Sequence, residues 1–261
     1  MIYRLPGDDH HLAPYRHVGE PQWLESRRLF VAESRLVVER LIAERRYELE
    51  SIAVTPSAFE ALAAQLQAVA CDVLICERHL LEEITGFKFH RGCIALAHRP
   101  ASIGPEMLFG TRRIVALEGV GNPDNVGGIF RTAAAFGVDG IVLDGGCADP
   151  FYRKAIRTSM AATLQLPWTR VDGWVETLTR FRAEGFTLVG LTPSSTGTDI
   201  REYSSQLDRH ERIVLLLGAE GAGLSQASCD AAHVRVKIPI RSTVDSLNVV
   251  VAAGIALHRL H

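Results

Sequence analysis

Residues 124–137 read Asp124-Asn125-Val126-Gly127-Gly128-Ile129-Phe130-Arg131-Thr132-Ala133-Ala134-Ala135-Phe136-Gly137. The segment follows an apolar run, Ile114 to Leu117, and is typical of a loop that turns into a short helix. Two glycines lie where that helix is expected to begin, and Arg131 follows Asn125 by six residues among apolar neighbours. A buried guanidinium costs free energy unless it is paired, so we expect Arg131 to be held in a functional site.

Apolar runs around this segment predict the strands of a parallel sheet. The predicted strands are Ile114–Leu117, Gly140–Leu143, Leu188–Leu191, Ile213–Leu217 and Val234–Ile238. The predicted helices between and after them are Gly127–Phe136, Arg153–Met160, Val175–Glu184 and Leu247–His258. Apolar strands that alternate with helices indicate an α/β fold, with a mostly parallel sheet covered by helices on both faces.

A smaller α/β block precedes this one. Short apolar runs alternate with amphipathic segments up to Arg99, and Ser34 is predicted to cap a helix that extends to Arg46. Residues 1–19 are expected to be irregular. Residues 98–105 contain two prolines and a glycine and read as a linker. The sequence therefore predicts two domains, residues 1–104 and residues 105–261.

Composition narrows the class of protein. Of the 261 residues, 47% are hydrophobic and 22% charged, as in globular proteins, and no apolar run approaches the roughly 20 residues that span a bilayer. With no signal-peptide core near the N terminus, we expect a cytoplasmic protein without membrane contact. The five cysteines form no CxxC pair, so we expect reduced thiols and no metal site.

Charge alone gives no case for nucleic-acid binding. The net charge is −2, and the arginines between residues 27 and 46 alternate with glutamates. Such a pattern favours a solvated helix face over a basic binding patch.

The first glycine-containing loop of the second block argues against a dinucleotide site. It reads Glu118-Gly119-Val120-Gly121-Asn122-Pro123-Asp124-Asn125. Asp124 stands where the dinucleotide fingerprint requires its third glycine, which disfavours a nicotinamide-dependent or flavin-dependent oxidoreductase.

Two further segments carry polar residues beside predicted strands or helices. Gly218-Ala219-Glu220-Gly221 follows a strand directly, where ligands bind in open α/β sheets, although an ordinary tight turn fits it equally well. Ser246-Leu247-Asn248-Val249 begins a long apolar helix. Capping by Asp245 or Ser246 explains part of this segment but not Asn248, because asparagine is a poor helix former.

Together these segments resemble the three motifs of the SpoU (TrmH-type) family of RNA 2′-O-ribose methyltransferases, in the SPOUT superfamily. Asn125-x-Gly127 through Arg131 is similar to the first motif and Gly218-Ala219-Glu220-Gly221 to the second. Ile238-Pro239 with Ser246-Leu247-Asn248-Val249 is similar to the third. The resemblance implies a sheet with a trefoil knot, S-adenosyl-L-methionine as cofactor, RNA as substrate and a homodimer.

The resemblance also implies roles for individual residues. Arg131 would activate the ribose 2′-hydroxyl, and since arginine stays protonated we expect a fixed charge beside the developing oxyanion. Asn125 would orient Arg131 or the RNA backbone, and Glu220 would be the counter-charge of Arg131. Ser246 and Asn248 would shape the pocket for the ribose. The resemblance also implies that the cofactor lies beside Gly218, Ile238 and Leu247.

The N-terminal block is similar to the RNA-binding domain that many members carry. Phe30-Val31-Ala32-Glu33 and His90-Arg91-Gly92 resemble its beginning and end. Such a domain favours ribosomal RNA over transfer RNA as substrate, and a non-catalytic RNA-binding protein with the same fold is the alternative. One departure lies at Ala161, where the family usually has glycine.

Overall fold

The computed structural model describes residues 1–7, 9–86, 88, 92–193, 197–208, 210–241 and 243–260. They form two compact units, one of residues 1–101 with 151–164 and one of residues 102–150 with 165–261. The division predicted from the sequence, at residue 104, had placed residues 151–164 in the second domain. His90 and Arg91, which carried part of the N-terminal resemblance, lie outside the described residues.

The secondary structure alternates between strands and helices along the whole chain. Up to residue 101 the elements are β1 (Ile2–Leu5), a 3₁₀ helix (His10–His17), α1 (Pro21–Ser26), β2 (Leu29–Glu33), α2 (Arg35–Glu44), β3 (Leu49–Val54), α3 (Pro56–Ala61), α4 (Ala63–Gln67), β4 (Asp72–Cys76), α5 (Arg78–Thr85) and β5 (Cys93–His98). After residue 101 they are a 3₁₀ helix (Pro105–Leu108), β6 (Arg113–Glu118), α6 (Pro123–Ala135), β7 (Gly140–Leu143), α7 (Arg153–Thr158), α8 (Ala162–Gln165), β8 (Trp168–Arg170), α9 (Trp174–Ala183), β9 (Thr187–Leu191), β10 (Thr198–Asp199), α10 (Ile200–Gln206), β11 (Ile213–Gly218), α11 (Gln226–Ala231), β12 (Val234–Lys237) and α12 (Val249–Leu260).

The first unit is built on a five-stranded mixed sheet of order β1-β4-β3-β5-β2. The expectation of an irregular N terminus is wrong, because β1 pairs in parallel with β4 and the 3₁₀ helix buries Leu12 and Tyr15. The expected cap of α2 is also wrong: Ser34 lies at the N-cap position, but its φ of 92° leaves its side chain without a capping hydrogen bond.

Residues 151–164 pack inside the first unit through aromatic and polar contacts. The Phe151 ring stacks on Phe30 with centroids 4.9 Å apart, and Arg153 Nη1 lies 3.1 Å from Glu33 Oε2. Arg40 and Arg46 donate to the carbonyl oxygens of Met160 and Leu164. Two arginines of the interleaved 27–46 stretch therefore bind this segment of the chain.

The second unit contains a seven-stranded parallel sheet of order β10-β12-β9-β11-β6-β7-β8. The α/β fold with a mostly parallel sheet is thus confirmed, and the trefoil knot stays a prediction. The short strands β8 and β10 lie at the two edges and were not predicted. In the centre, β6 and β11 pair from Arg113 with Ile213 to Glu118 with Gly218, so their carboxyl ends meet at one edge.

Alternate residues of the central strands face different helices. Ile114, Ala116, Val214 and Leu216 share a buried cluster with residues of α9. Helix α12 packs against β11 and against α6, where a methyl group on Gly128 would lie 2.8 Å from Val250 Cγ2. Across the described ranges, no helix is both long and apolar enough to cross a bilayer.

Candidate active site

A cavity of about 290 Å³ opens at the carboxyl edge of the parallel sheet, where the segments after the three strands β9, β11 and β12 meet. It contains all three predicted cofactor residues together with Glu220, Ser246 and Asn248. Its lining consists of Leu191, Thr192, Pro193, Leu217, Gly218, Ala219, Glu220, Gly221, Gly223, Ile238, Ile240, Ser246, Leu247, Asn248, Val249 and Ala252.

The floor of the cavity is formed by the segment after β11, residues 218–224. Gly223 N donates to Ala219 O over 2.9 Å, and Gly221 and Gly223 have φ of 88° and 69°. A Cβ on Gly218 would lie only 2.1 Å from the carbonyl carbon of Gly223. The segment therefore folds back on its own first residue, and glycine is required there because the two backbone stretches approach so closely.

Helix α6 carries the other two predicted catalytic residues, and it begins earlier than the sequence suggested. Pro123 occupies its first turn, and the Asn122 side chain caps it by accepting from Asp124 N. The glycines at 127 and 128 consequently lie inside the helix. Asn125 is buried, with 7% of its surface exposed, on the side that faces α12 and the segment after β11.

Asn248 connects the three motifs. Its Nδ2 donates to Asn125 Oδ1 over 3.2 Å and to Glu220 Oε1 over 2.8 Å. Its Oδ1 accepts from Val250 N over 2.9 Å. Because Val250 N–H requires an acceptor, the amide orientation is set, and its two N–H groups are directed at Asn125 and Glu220.

The same bonds correct the start of the last helix. Helix α12 begins at Val249, two residues later than predicted, and Asn248 itself makes the capping bond rather than Asp245 or Ser246. Asn248 therefore does not lie within the helix, so its low helix propensity is no longer an anomaly. Its side-chain oxygen accepts from the first turn of α12, and its side-chain nitrogen donates to Asn125 and Glu220.

Arg131 is placed differently from the expectation. It is exposed on α6 and does not line the cavity, so the expectation of a buried guanidinium is wrong. Among the residues that the structure describes, Arg131 has no ion pair with Glu220, whose carboxylate accepts from Asn248 instead. The structure thus brings Asn125, Glu220 and Asn248 together and leaves Arg131 open to solvent.

Sequence reasoning missed the contribution of β9 to the cavity. Leu191, Thr192 and Pro193 line it at the end of a strand that was predicted correctly. The available signal was position, since these residues follow the carboxyl end of a parallel strand, as the segment after β11 does.

Comparison with known proteins assigns this architecture to a family. The model of the SpoU rRNA Methylase family matches residues 112–258. The chain belongs to this family. The SpoU assignment confirms the resemblance seen in the motifs and makes the chain an S-adenosyl-L-methionine-dependent RNA methyltransferase.

Three similar proteins support the SpoU assignment. An uncharacterized tRNA/rRNA methyltransferase of Mycobacterium bovis is 36% identical over 96% of this chain and 88% of its own. The 23S rRNA (guanosine(2553)-2'-O)-methyltransferase RlmP of Bacillus subtilis is 32% identical over 64% of this chain and 63% of its own. An AdoMet-bound rRNA methyltransferase from Sinorhizobium meliloti superposes with a TM-score of 0.82, at 26% identity, over 99% of this chain and 97% of its own.

The cavity of this SpoU chain fits S-adenosyl-L-methionine, its cofactor. Leu191, Ile238 and Leu247 offer apolar surface to an adenine ring, and the backbone of residues 218–223 offers polar groups at close approach. Among the lining residues that the structure describes, Glu220 is the single charged one, and its negative charge complements a sulfonium cation.

Proposed function

We propose that this chain methylates a ribose 2′-hydroxyl of RNA. The observation that supports this most is the convergence of three sequence-distant motifs through Asn248, which lies 3.2 Å from Asn125 and 2.8 Å from Glu220 at the cavity. The cofactor supplies an electrophilic methyl group when it is bound. Gly218, Ile238 and Leu247 would hold it, and the surrounding polar residues would receive the ribose.

Arg131 is the residue proposed to act on the nucleophile. A ribose hydroxyl attacks poorly unless negative charge on its oxygen is stabilised, and a guanidinium remains protonated at neutral pH. Because Arg131 is exposed and donates to no described residue, its fork of N–H groups is available for an RNA phosphate and the ribose oxygen. It would supply a fixed positive charge and would not remove the proton.

The other residues would position this reaction. Asn125 would hold Asn248 through its side-chain oxygen, which refines the expected contact of Asn125 with Arg131 or RNA. Glu220 would fix Asn248 from the other side and complement the cofactor's charge. Ser246, which lines the cavity, would face the ribose.

Methyl transfer by Arg131 variants tests the proposal. We expect Arg131→Ala to lower turnover by at least a hundredfold, within the range of lost oxyanion stabilisation, while the dissociation constant for S-adenosyl-L-methionine stays within about twofold. Arg131→Lys keeps the charge but loses the fork and should recover only part of the rate. Arg259→Ala, at an exposed arginine of α12, is the matched control.

The assay uses radiolabelled cofactor, digestion of the RNA to nucleosides and calorimetry for cofactor binding. Label recovered in 2′-O-methyl nucleosides supports the proposal, whereas label on a base contradicts the ribose assignment. Near-normal turnover of Arg131→Ala contradicts its role. RNA binding without any methyl transfer by the wild-type chain would favour the non-catalytic alternative.

The proposed substrate is ribosomal RNA rather than transfer RNA, with the first unit as an RNA-binding domain. The RlmP name, which specifies 23S rRNA, supports this choice. Mapping 2′-O-methylation across total RNA with and without the gene would identify the molecule and nucleotide. A lost site in transfer RNA would contradict it.

We also propose a homodimer of cytoplasmic location. The motif resemblance to the SpoU family is the support for the dimer, and Val251, an apolar residue of α12 that is 52% exposed, is one side chain that a second copy would cover. Light scattering at assay concentration measures the mass, and a monomer would contradict this part of the proposal.

A further inference from the structure

Glu118 forms an unusual hydrogen bond at the edge of the cavity without lining it. It is the last residue of β6, and its Oε2 accepts from Ser225 N over 3.0 Å, although the two residues are far apart in sequence. We propose that Glu118 is a positioning residue that fastens the segment 218–225, and through it the binding site for S-adenosyl-L-methionine.

The hydrogen bond from Ser225 N to Glu118 completes a capping motif of α11 with a residue from outside the helix. Ser225 is the N-cap of α11, and its hydroxyl accepts from Ser228 N over 3.2 Å. In a capping box, a glutamate three residues after the cap returns a bond to the N-cap N–H. Here Ser228 occupies that position. The carboxylate that accepts from the N-cap N–H belongs instead to Glu118 of strand β6.

This bond closes the segment at its second end. The first end is fixed by the sheet, where Gly218 pairs with Glu118 itself. Between the two ends, Gly218, Glu220 and Gly223 line the cavity. Glu118 therefore determines the position of the segment at both ends, once with its backbone and once with its side chain.

The backbone of Glu118 is in turn held by the neighbouring strand end. Asp144 Oδ1 accepts from Gly119 N and from Gly146 N, each over 3.0 Å. Ala148 N donates to Val120 O over 2.9 Å. These bonds hold the turn after β6 against the segment after β7. The backbone that carries the Glu118 carboxylate is therefore fixed in position.

The inference rests on the proposed use of this cavity for the cofactor, and cofactor affinity tests it independently of catalysis. We expect Glu118→Ala to raise the calorimetric dissociation constant for S-adenosyl-L-methionine about tenfold, or ~1.4 kcal/mol. Glu118→Gln retains an oxygen acceptor for Ser225 N and should stay within about twofold of wild type.

Asp139→Ala is the matched control, because the Asp139 carboxylate accepts from Arg112 N and Arg113 N at the opposite end of β6. It should lower the thermal midpoint and leave cofactor affinity unchanged. Equal affinity of Glu118→Ala and wild type overturns the inference, as does an equal loss in Asp139→Ala. A wild-type chain that binds no cofactor contradicts the cofactor assignment itself and removes the inference with it.

A second pair of variants applies if Glu118→Ala does not fold. Ser225 has φ of −62°, which proline can adopt, so Ser225→Pro removes the N–H donor without changing Glu118. Ser225→Ala removes the hydroxyl cap and keeps the N–H. We expect weaker cofactor binding in the proline variant than in the alanine variant, and the reverse order overturns the proposal.

Discussion

Replacement of Gly218 by alanine probes the tightest backbone contact beside the cavity. The added Cβ would lie 2.1 Å from Gly223 C and 2.3 Å from Gly223 O and Leu224 N. All three are backbone atoms that no side-chain rotation can move. The segment must therefore retreat by about 1.4 Å to restore an ordinary carbon–carbon separation near 3.5 Å.

Such a displacement should cost stability and binding together. Overpacking of this kind destabilises by about 1–3 kcal/mol, and Gly218 and Glu220 line the cavity on the segment that must move. We expect Gly218→Ala to lower the midpoint of thermal unfolding and to weaken S-adenosyl-L-methionine binding at least tenfold in calorimetry.

Gly145→Ala is the control for the Gly218 variant. Gly145 follows β7 at the same edge of the sheet, and no atom lies within 4 Å of a Cβ built on it. It should bind the cofactor as wild type does. A Gly218→Ala protein with wild-type affinity and midpoint would refute the close-approach argument.

Two further outcomes are expected elsewhere in the chain. Ala161 is buried with φ of 70°, a conformation that costs a non-glycine residue about 1–2 kcal/mol, so Ala161→Gly should raise the free energy of unfolding by about 1 kcal/mol in urea titration. As a control, Ala155→Gly inside α7 should lower the free energy of unfolding. A destabilised Ala161→Gly protein would contradict the inference that the backbone is strained at Ala161. Asn248→Asp keeps an acceptor for Val250 N but loses both donated bonds, whereas Asn248→Ala loses all three. Both variants should lose methyl transfer, and the aspartate variant also places a second carboxylate against Glu220. A catalytically active aspartate variant would argue against the donor role.

The central strands were predictable from the sequence because they are buried on both faces. Ile114–Leu117 and Ile213–Leu217 are continuous apolar runs, the pattern expected of parallel strands between helices. Strand β1 gives no such signal, because Ile2–Leu5 is short and includes a tyrosine and an arginine. Its pairing with β4 joins residues about seventy positions apart, which no local pattern encodes.

The exposure of Arg131 shows why burial cannot be predicted from the residues adjacent in sequence. The buried residues of α6 include Val126, Ile129, Phe130 and Ala133, which follow the spacing of one helix face. Arg131 is adjacent to Phe130 in sequence but is rotated about 100° from it around the helix. Apolar neighbours in a helix therefore do not imply burial of the residue beside them.

Motif order identified the residues of the site but not their bonds. Asn125, Glu220 and Asn248 were all predicted, yet Glu220 was assigned to Arg131 and Asn125 to Arg131 or RNA. The observed partner of both is Asn248, because the sheet register and the start of α12 bring its amide between them. Such a choice among polar partners depends on distances of a few ångströms that spacing in the sequence does not contain.

Residues 151–164 belong to the first unit although they lie within the sequence of the second. This limits how the units can be exchanged between related proteins. Exchange of the N-terminal unit between relatives at the linker alone would separate Phe30, Glu33 and Arg46 from Phe151, Arg153 and Leu164. A chimera that keeps these contacts needs three junctions, one at the linker and one at each end of residues 151–164. Because all three junctions have to be used together, the first unit cannot be exchanged as one continuous stretch of sequence.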